Sequence, residues 1–194
     1  MATTNLQTFI ANDIYEQTGN GTPDHSAPLG SRYVDLDTGL HYRNSDDSTV
    51  WFPFVPPVAK GAMYISASSS TTISTADTPV KVAGTYATEL LEMFDEPIDG
   101  RLRYTGTTTK QFAVVCAISM SGTRNNTYSF YVAKNGTILT QTQVQRRVSN
   151  NDVGALAVVA EVSLATNDYI ELFAENNGNT GDVTAEYMYL SING

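Results

Sequence analysis

Between residues 111 and 120 the chain alternates. Phe112, Val114, Cys116, Ile118 and Met120 fall on one side of an extended backbone, and the smaller Ala113, Val115, Ala117 and Ser119 fall on the other. The same period of two sets Tyr128, Phe130 and Val132 against Ser129, Tyr131 and Ala133, and Ile170, Leu172 and Ala174 against Tyr169, Glu171 and Phe173. Near the C-terminus it sets Val183, Ala185, Tyr187 and Tyr189 against Thr184, Glu186, Met188 and Leu190. Extending this reading predicts strands over residues 62–67, 72–74, 80–83, 90–94, 101–104, 111–119, 127–133, 137–148, 156–163, 169–175 and 183–191. Turn signals separate them, including Lys134-Asn135-Gly136 and Ala165-Thr166-Asn167-Asp168. Strands at this spacing, with no long helical period between them, predict an all-β antiparallel sandwich and not parallel βαβ units. A sandwich needs only one buried face per sheet. The apolar residues left on second faces therefore predict a subunit interface, with Tyr131, Tyr169, Phe173, Tyr187 and Tyr189 as its candidates.

Before this series the pattern differs. Leu6, Phe9, Ile10, Ile14 and Tyr15 lie close to helical spacing and predict a short helix within residues 6–17. A turn-rich stretch follows. Three short strands are then expected: Arg32-Tyr33-Val34-Asp35-Leu36, Leu40-His41-Tyr42-Arg43 and Val50-Trp51-Phe52, the first two joined by an Asp37-Thr38-Gly39 loop. Phe52-Pro53-Phe54-Val55-Pro56-Pro57-Val58 is stiffened by three prolines. The expected organisation is a small module over 1–55, a linker over 56–60 and a β domain over 61–194. About fifty residues with one tryptophan make a marginal core alone. The module is thus expected to be more stable packed against something else or in several copies, and Tyr33, Tyr42, Trp51 and Phe52 are the candidates for such a contact.

Composition narrows the function classes. Charged residues are 16% of the chain and the net charge is −9, with 11 Lys+Arg against 20 Asp+Glu. Phosphate neutralisation dominates nucleic-acid affinity, so nucleic acid is not an expected partner. The single cysteine, Cys116, excludes an intrachain disulfide and is compatible with assembly in a reducing cytosol. Met1-Ala2-Thr3-Thr4-Asn5 has neither a basic start nor an apolar run, so no signal peptide is expected. No stretch approaches the roughly 20 apolar residues of a membrane span.

Candidate chemistry is sparse. His25 and His41 are the only histidines, both in the module, and both are expected to be structural. Glu89, Glu92, Asp95, Glu96 and Asp99 cluster around Pro97 and Gly100. This is expected to be a solvated loop; a cation site is the weaker reading, and a glycosidase pair weaker still. Asp46, Asp47 and Asp152 read as turn residues, and Arg146-Arg147 as a solvated strand edge or as partners for an acidic neighbour across a subunit contact. There is no phosphate loop, dinucleotide fingerprint or zinc spacing. No catalytic residue, metal or cofactor is expected. Asn125-Asn126-Thr127 and Asn135-Gly136-Thr137 match the glycosylation acceptor pattern, which carries little weight without a signal peptide.

Gly61-Ala62-Met63-Tyr64-Ile65, Arg101-Leu102-Arg103-Tyr104, Phe112-Ala113-Val114-Val115, Tyr128-Ser129-Phe130-Tyr131-Val132-Ala133-Lys134-Asn135-Gly136, Asn167-Asp168-Tyr169-Ile170-Glu171-Leu172 and Glu186-Tyr187-Met188-Tyr189-Leu190, in this order, resemble the tumour-necrosis-factor/complement-type jelly roll. In particular they resemble the versions found in bacteriophage virion proteins. Asn167 stands where that pattern usually has Gly, a change that a left-handed turn tolerates. The stretch from Gly21-Thr22-Pro23 through Ala27-Pro28-Leu29-Gly30-Ser31, Gly39-Leu40-His41-Tyr42 and Trp51 is similar to a short module near the start of phage fibres, but lacks that module's longer Gly-rich insert. The resemblance implies a non-enzymatic homotrimer on the virion surface, assembled in the host cytoplasm. It would be a head fibre, decoration or tail-appendage protein bound to other virion proteins through its N-terminal module. A tip recognising a host receptor or glycan is the alternative, and a polysaccharide depolymerase a remote one.

Overall fold

A computed structural model describes residues 7–11, 14–47, 49–54, 58–123, 125–149 and 152–194. The chain forms two compact units, residues 1–57 and 58–194. The expected linker lies partly outside the described residues. At its end, Ala59 is buried and accepts the Gly194 amide, and Lys60 opens the first strand of the second unit, so both belong to that unit.

The first unit is one five-stranded sheet in the order β1 (Gln7–Ala11), β2 (Ile14–Gly19), β3 (Arg32–Asp35), β4 (His41–Asn44) and β5 (Trp51–Pro53). The helix expected within 6–17 is not formed. Instead β1 and β2 pair antiparallel with Ala11 opposite Ile14, and β2 pairs parallel with β3. Short segments are marginal as isolated helices. A ladder partner on each side of β2 satisfies its backbone and overrides the weak helical spacing.

The second unit, the head, is a two-layered sandwich. One layer contains β6 (Lys60–Ser68), β7 (Ser70–Thr71), β9 (Gly84–Glu92), β12 (Lys110–Gly122), β16 (Gly154–Leu164) and β18 (Val183–Asn193). Its order is β16-β12-β18-β6-β9, with β7 also against β18. The other layer contains β8 (Val80–Lys81), β10 (Phe94–Asp95), β11 (Leu102–Tyr104), β13 (Thr127–Lys134), β14 (Thr137–Ile138), β15 (Val144–Arg147) and β17 (Tyr169–Asn176). Its path is β10-β11-β17-β13-β14, with β15 against β13 and β8 against β17. The four-strand cores are β6-β18-β12-β16 and β11-β17-β13-β15, so the chain crosses repeatedly between layers and the first and last main strands lie side by side. Two interleaved Greek keys of this kind make an antiparallel jelly roll.

The core lies between the layers. Phe112, Val114, Cys116, Ile118 and Met120 of β12 point into it, opposite Tyr128, Phe130 and Val132 of β13. Phe94, Tyr104 and Phe112 form an aromatic trio with centroids 5.0–5.4 Å apart. Cys116 is fully buried, and burial pushes its thiol well above the usual range.

Three local features decide register. Asn135 (φ 52°) and Gly136 (φ 75°) form the tip of the β13–β14 hairpin, both left-handed as a tight two-residue turn requires. The long strand expected over 137–148 is broken by a 3-10 turn at Thr140–Thr142. There the Thr142 hydroxyl donates to the Leu139 carbonyl and accepts the Val132 amide, giving the backbone an alternative to a continuous ladder. Finally, β18 slips by one residue against β12, because Ser119 faces Tyr187 while Met120 faces Ala185. One extra residue reverses side-chain parity. Val183 and Ala185 are therefore buried while Tyr187 and Tyr189 point outward, although the sequence pattern grouped all four on one face.

Candidate interaction surfaces

The outward face of the β16-β12-β18-β6-β9 layer follows directly from this register. Ala157 of β16 sits opposite Ala117 of β12, which sits opposite Tyr189 of β18, then Tyr64 of β6, then Ala87 of β9. The adjoining rows are Val159–Val115–Ser191–Ala62–Glu89 and Ala155–Ser119–Tyr187. Apart from Glu89 on the edge strand, none of these positions is charged. Val159 is 62% exposed, Val115 48%, Tyr187 75% and Tyr189 42%. Small alanines flanked by large side chains leave a shallow depression bounded by Tyr64, Ala155, Tyr187 and Tyr189. The Tyr189 hydroxyl donates to Glu89 at the margin (3.3 Å).

The outward face of the other layer has the opposite character. Glu171, 1% exposed, receives Arg101 Nε at 2.8 Å and has Lys81 Nζ at 3.6 Å. The Arg101 guanidinium lies over the Tyr169 ring, 4.6 Å from its centroid. The Tyr131 hydroxyl donates to the buried Glu175 carboxylate and accepts from Gln143 Nε2 (2.7 Å). Ser129 Oγ receives both Gln143 and Gln145 amides. At one end the two family-like turns are clasped together. Asp168 accepts Lys134 Nζ (2.7 Å) and Asn135 Nδ2 (2.7 Å), and Asn135 Oδ1 accepts the Tyr169 amide (2.9 Å). Burial opposes ionisation of Asp168. Lys134, Asn135 and the Ala165 amide outweigh it and hold the carboxyl below its usual range.

The five aromatic candidates therefore do not share a surface. Tyr187 and Tyr189 stand exposed on the apolar face. Tyr131, Tyr169 and Phe173 belong to the polar face; Tyr131 is buried within its own chain, and the other two are half-buried. Val115, Ala117, Ala157 and Val159, absent from that candidate set, fill the centre of the apolar face. For Val115 and Ala117 the signal was the apolar second side of residues 113–119, which small residues made easy to discount.

In the module the candidates also separate. Tyr33 and Tyr42 are buried and pack edge-on, Trp51 packs on Tyr33, and Trp51 Nε1 donates to the His25 carbonyl at 2.8 Å. His25 lies between Tyr33 and Trp51, with Nε2 2.6 Å from Gln17 Oε1. The buried Asp35 carboxylate accepts the Thr38 hydroxyl and the Gly21 and Asp37 amides, which hold it below its usual range and brace the loops. These residues make the module's core. Phe52, 57% exposed, faces the other way, alongside Arg32, His41, Arg43 and Phe54.

The acidic cluster is divided among separate partners. Glu92 pairs with Lys60 (3.3 Å), Asp95 with Arg103 (2.6 Å), Glu96 accepts the Gly100 amide (2.9 Å), and the Asp99 carbonyl receives Lys81. The Arg103 contact holds Asp95 below its usual range. Arg146 bonds Asp152 of its own chain at 3.1 Å. Among the described residues no three metal-ligating side chains converge.

No protein-family model matches the sequence, and no curated protein sequence does. Solved structures match in layout. The chain is similar to murine APRIL (11% identity, 71% of this chain and 98% of that one, TM-score 0.49) and to Eiger TNF from S. frugiperda (12%, 71% and 92%, 0.45). It is also similar to the globular domain of zebrafish complement 1qA protein (11%, 71% and 96%, 0.37). The jelly-roll assignment made above rests on the strand order itself.

Proposed function

We propose that this chain is a non-enzymatic display protein. Its head self-associates into a homotrimer through the outward face of the β16-β12-β18-β6-β9 layer, and its N-terminal module fixes the trimer to a larger assembly. The observation that carries this reading is the uncharged Ala117–Tyr189–Tyr64 face. A contiguous, largely apolar surface on the outer face of a sheet whose inner face already forms the core is the expected mark of an interaction site. The number three, and the placement on a bacteriophage particle as a head fibre, decoration or tail appendage, rest on the sequence resemblance. Three linked heads raise effective concentration at a cell surface without tight single-site affinity.

Sedimentation of the full chain at micromolar concentration tests the assembly. A species of three chain masses is expected. A species of two would replace the trimer with an isologous dimer on the same face, and a monomer would overturn the reading. A second reading draws on the exposed tyrosines of the same face. Aromatic faces suit sugar rings, so a monomer that binds surface glycans through Tyr64, Tyr187 and Tyr189 would make the head a recognition tip. Labelling the protein on intact phage particles would then test its position.

A further inference from the structure

The outward face of the N-terminal sheet carries two cross-strand rows. One runs Glu16–Arg32–Arg43–Phe52 and the other Thr18–Val34–His41, with Phe54 donating its amide to the His41 carbonyl. Arg32 and Arg43 are the only Lys or Arg in residues 1–57, against seven acidic residues there. They occupy directly opposed positions, which bring Cβ atoms about 5 Å apart and cost stability when both side chains carry the same charge. Among the described residues neither side chain makes an ion pair or hydrogen bond, and Glu16 beside Arg32 does not pair with it. Both side chains are exposed, and they border a groove with Leu29, His41 and Phe54. Leu29 is 60% exposed and Phe54 49%.

A sheet that places its only two cations side by side, unpaired, beside exposed apolar side chains has a surface complementary to a carboxylate next to an apolar group. Two guanidinia can grip one carboxylate through paired N–H donors. Phosphate polymers fit less well, since the rest of the module is acidic and half of the groove is apolar. We propose that this face docks an extended acidic peptide segment of a partner protein. A carboxylate would sit between Arg32 and Arg43, and an apolar side chain against Leu29, Phe52 and Phe54. The inference rests on the reading of the module as the docking unit and gives that unit's partner a chemistry.

The test is selection by the full chain from an immobilised library of random 12-residue peptides. Selected peptides should carry Asp or Glu within two positions of a large apolar residue. Synthetic versions should bind at least tenfold more weakly to Arg32→Gln and to Arg43→Gln, and unchanged to Arg147→Gln, which removes an equal charge from the head. Trp51, the sole tryptophan, reports whether the module stays folded. If an arginine variant loses its native emission, Phe54→Ser supplies the same test, with a tenfold loss again expected. Failure to select any peptide, selected peptides without acidic residues, equal binding by the variants, or complete displacement by single-stranded DNA would each overturn the proposal. Chain mass measured on the same sample keeps the two readings apart. A trimer that ignores acidic peptides overturns only this inference, and a monomer that selects them overturns only the display reading.

Discussion

The two outward faces of the head are built from the same alternating strands yet have solved their exposure differently. On the β11-β17-β13-β15 side the outward side chains find partners within their own chain: Glu171 Oε1 in Arg101 and Lys81, Glu175 in Tyr131, Ser129 in Gln143 and Gln145. On the other side Val115, Ala117 and Val159 have no hydrogen bonds to make and lie open, beside the exposed ring of Tyr187. Polar groups can be completed within a monomer by hydrogen bonds. Apolar groups can be completed only by being covered. The two faces should therefore answer mutation through different observables, stability on the first and association on the second.

The sharpest way to break this comparison is a charge at the centre of the open face. Ala117→Arg should convert the assembly to monomers, at least a hundredfold weaker in association by sedimentation, while the unfolding midpoint of the monomer stays near that of the dissociated parent. An intact trimer would move the interface elsewhere. Next in size is Tyr131→Phe on the closed face. It leaves the buried Glu175 carboxylate without its hydroxyl donor and should cost about 2 kcal/mol in denaturant unfolding, with the oligomer mass unchanged. Burial first, and Glu175 second, push Tyr131 up to about 12. That contribution is fully present below the ordinary tyrosine value of about 10 and is lost as pH rises to about 12, so the variant's deficit should shrink across that window. The smallest effect belongs to the clasp at the rim. Because the folded Asp168 carboxyl is depressed, its contribution is present above the ordinary carboxylate value of about 4 and is lost as pH falls through the lower folded value. Asp168→Asn should therefore lower the melting temperature by a few degrees at pH 7, and by progressively less as pH falls below the ordinary carboxylate value of about 4, whichever face mediates assembly.

Much of the head was legible in the sequence because its signals are local. The Asn135-Gly136 turn, the Asn167 left-handed turn (φ 72°) and the inward series of β12 each follow from one residue's backbone freedom or a period of two. The misses share one cause, dependence on partners distant in sequence. The helix expected within 6–17 gave way to a ladder with β3, and the strand expected over 137–148 gave way to a turn closed by Thr142. The candidate surfaces were harder. Tyr131 and Tyr187 look alike in sequence, but one is consumed by Glu175 and the other is turned outward by a single-residue slip. Arg32 and Arg43 became a pair only when β3 and β4 aligned. Their being the module's only two Lys or Arg residues was the available signal.

The sequence by itself determined an all-β head, the alternating faces of β12, β13 and β17, the tight turns and the absence of an intrachain disulfide, because alternation, turn chemistry and cysteine count act within a few residues. Only the tertiary structure decided which outward residues are already satisfied, which face stays apolar and open, and that two arginines meet unpaired. Each of those depends on strand register, and register is fixed by the packing of the whole sheet.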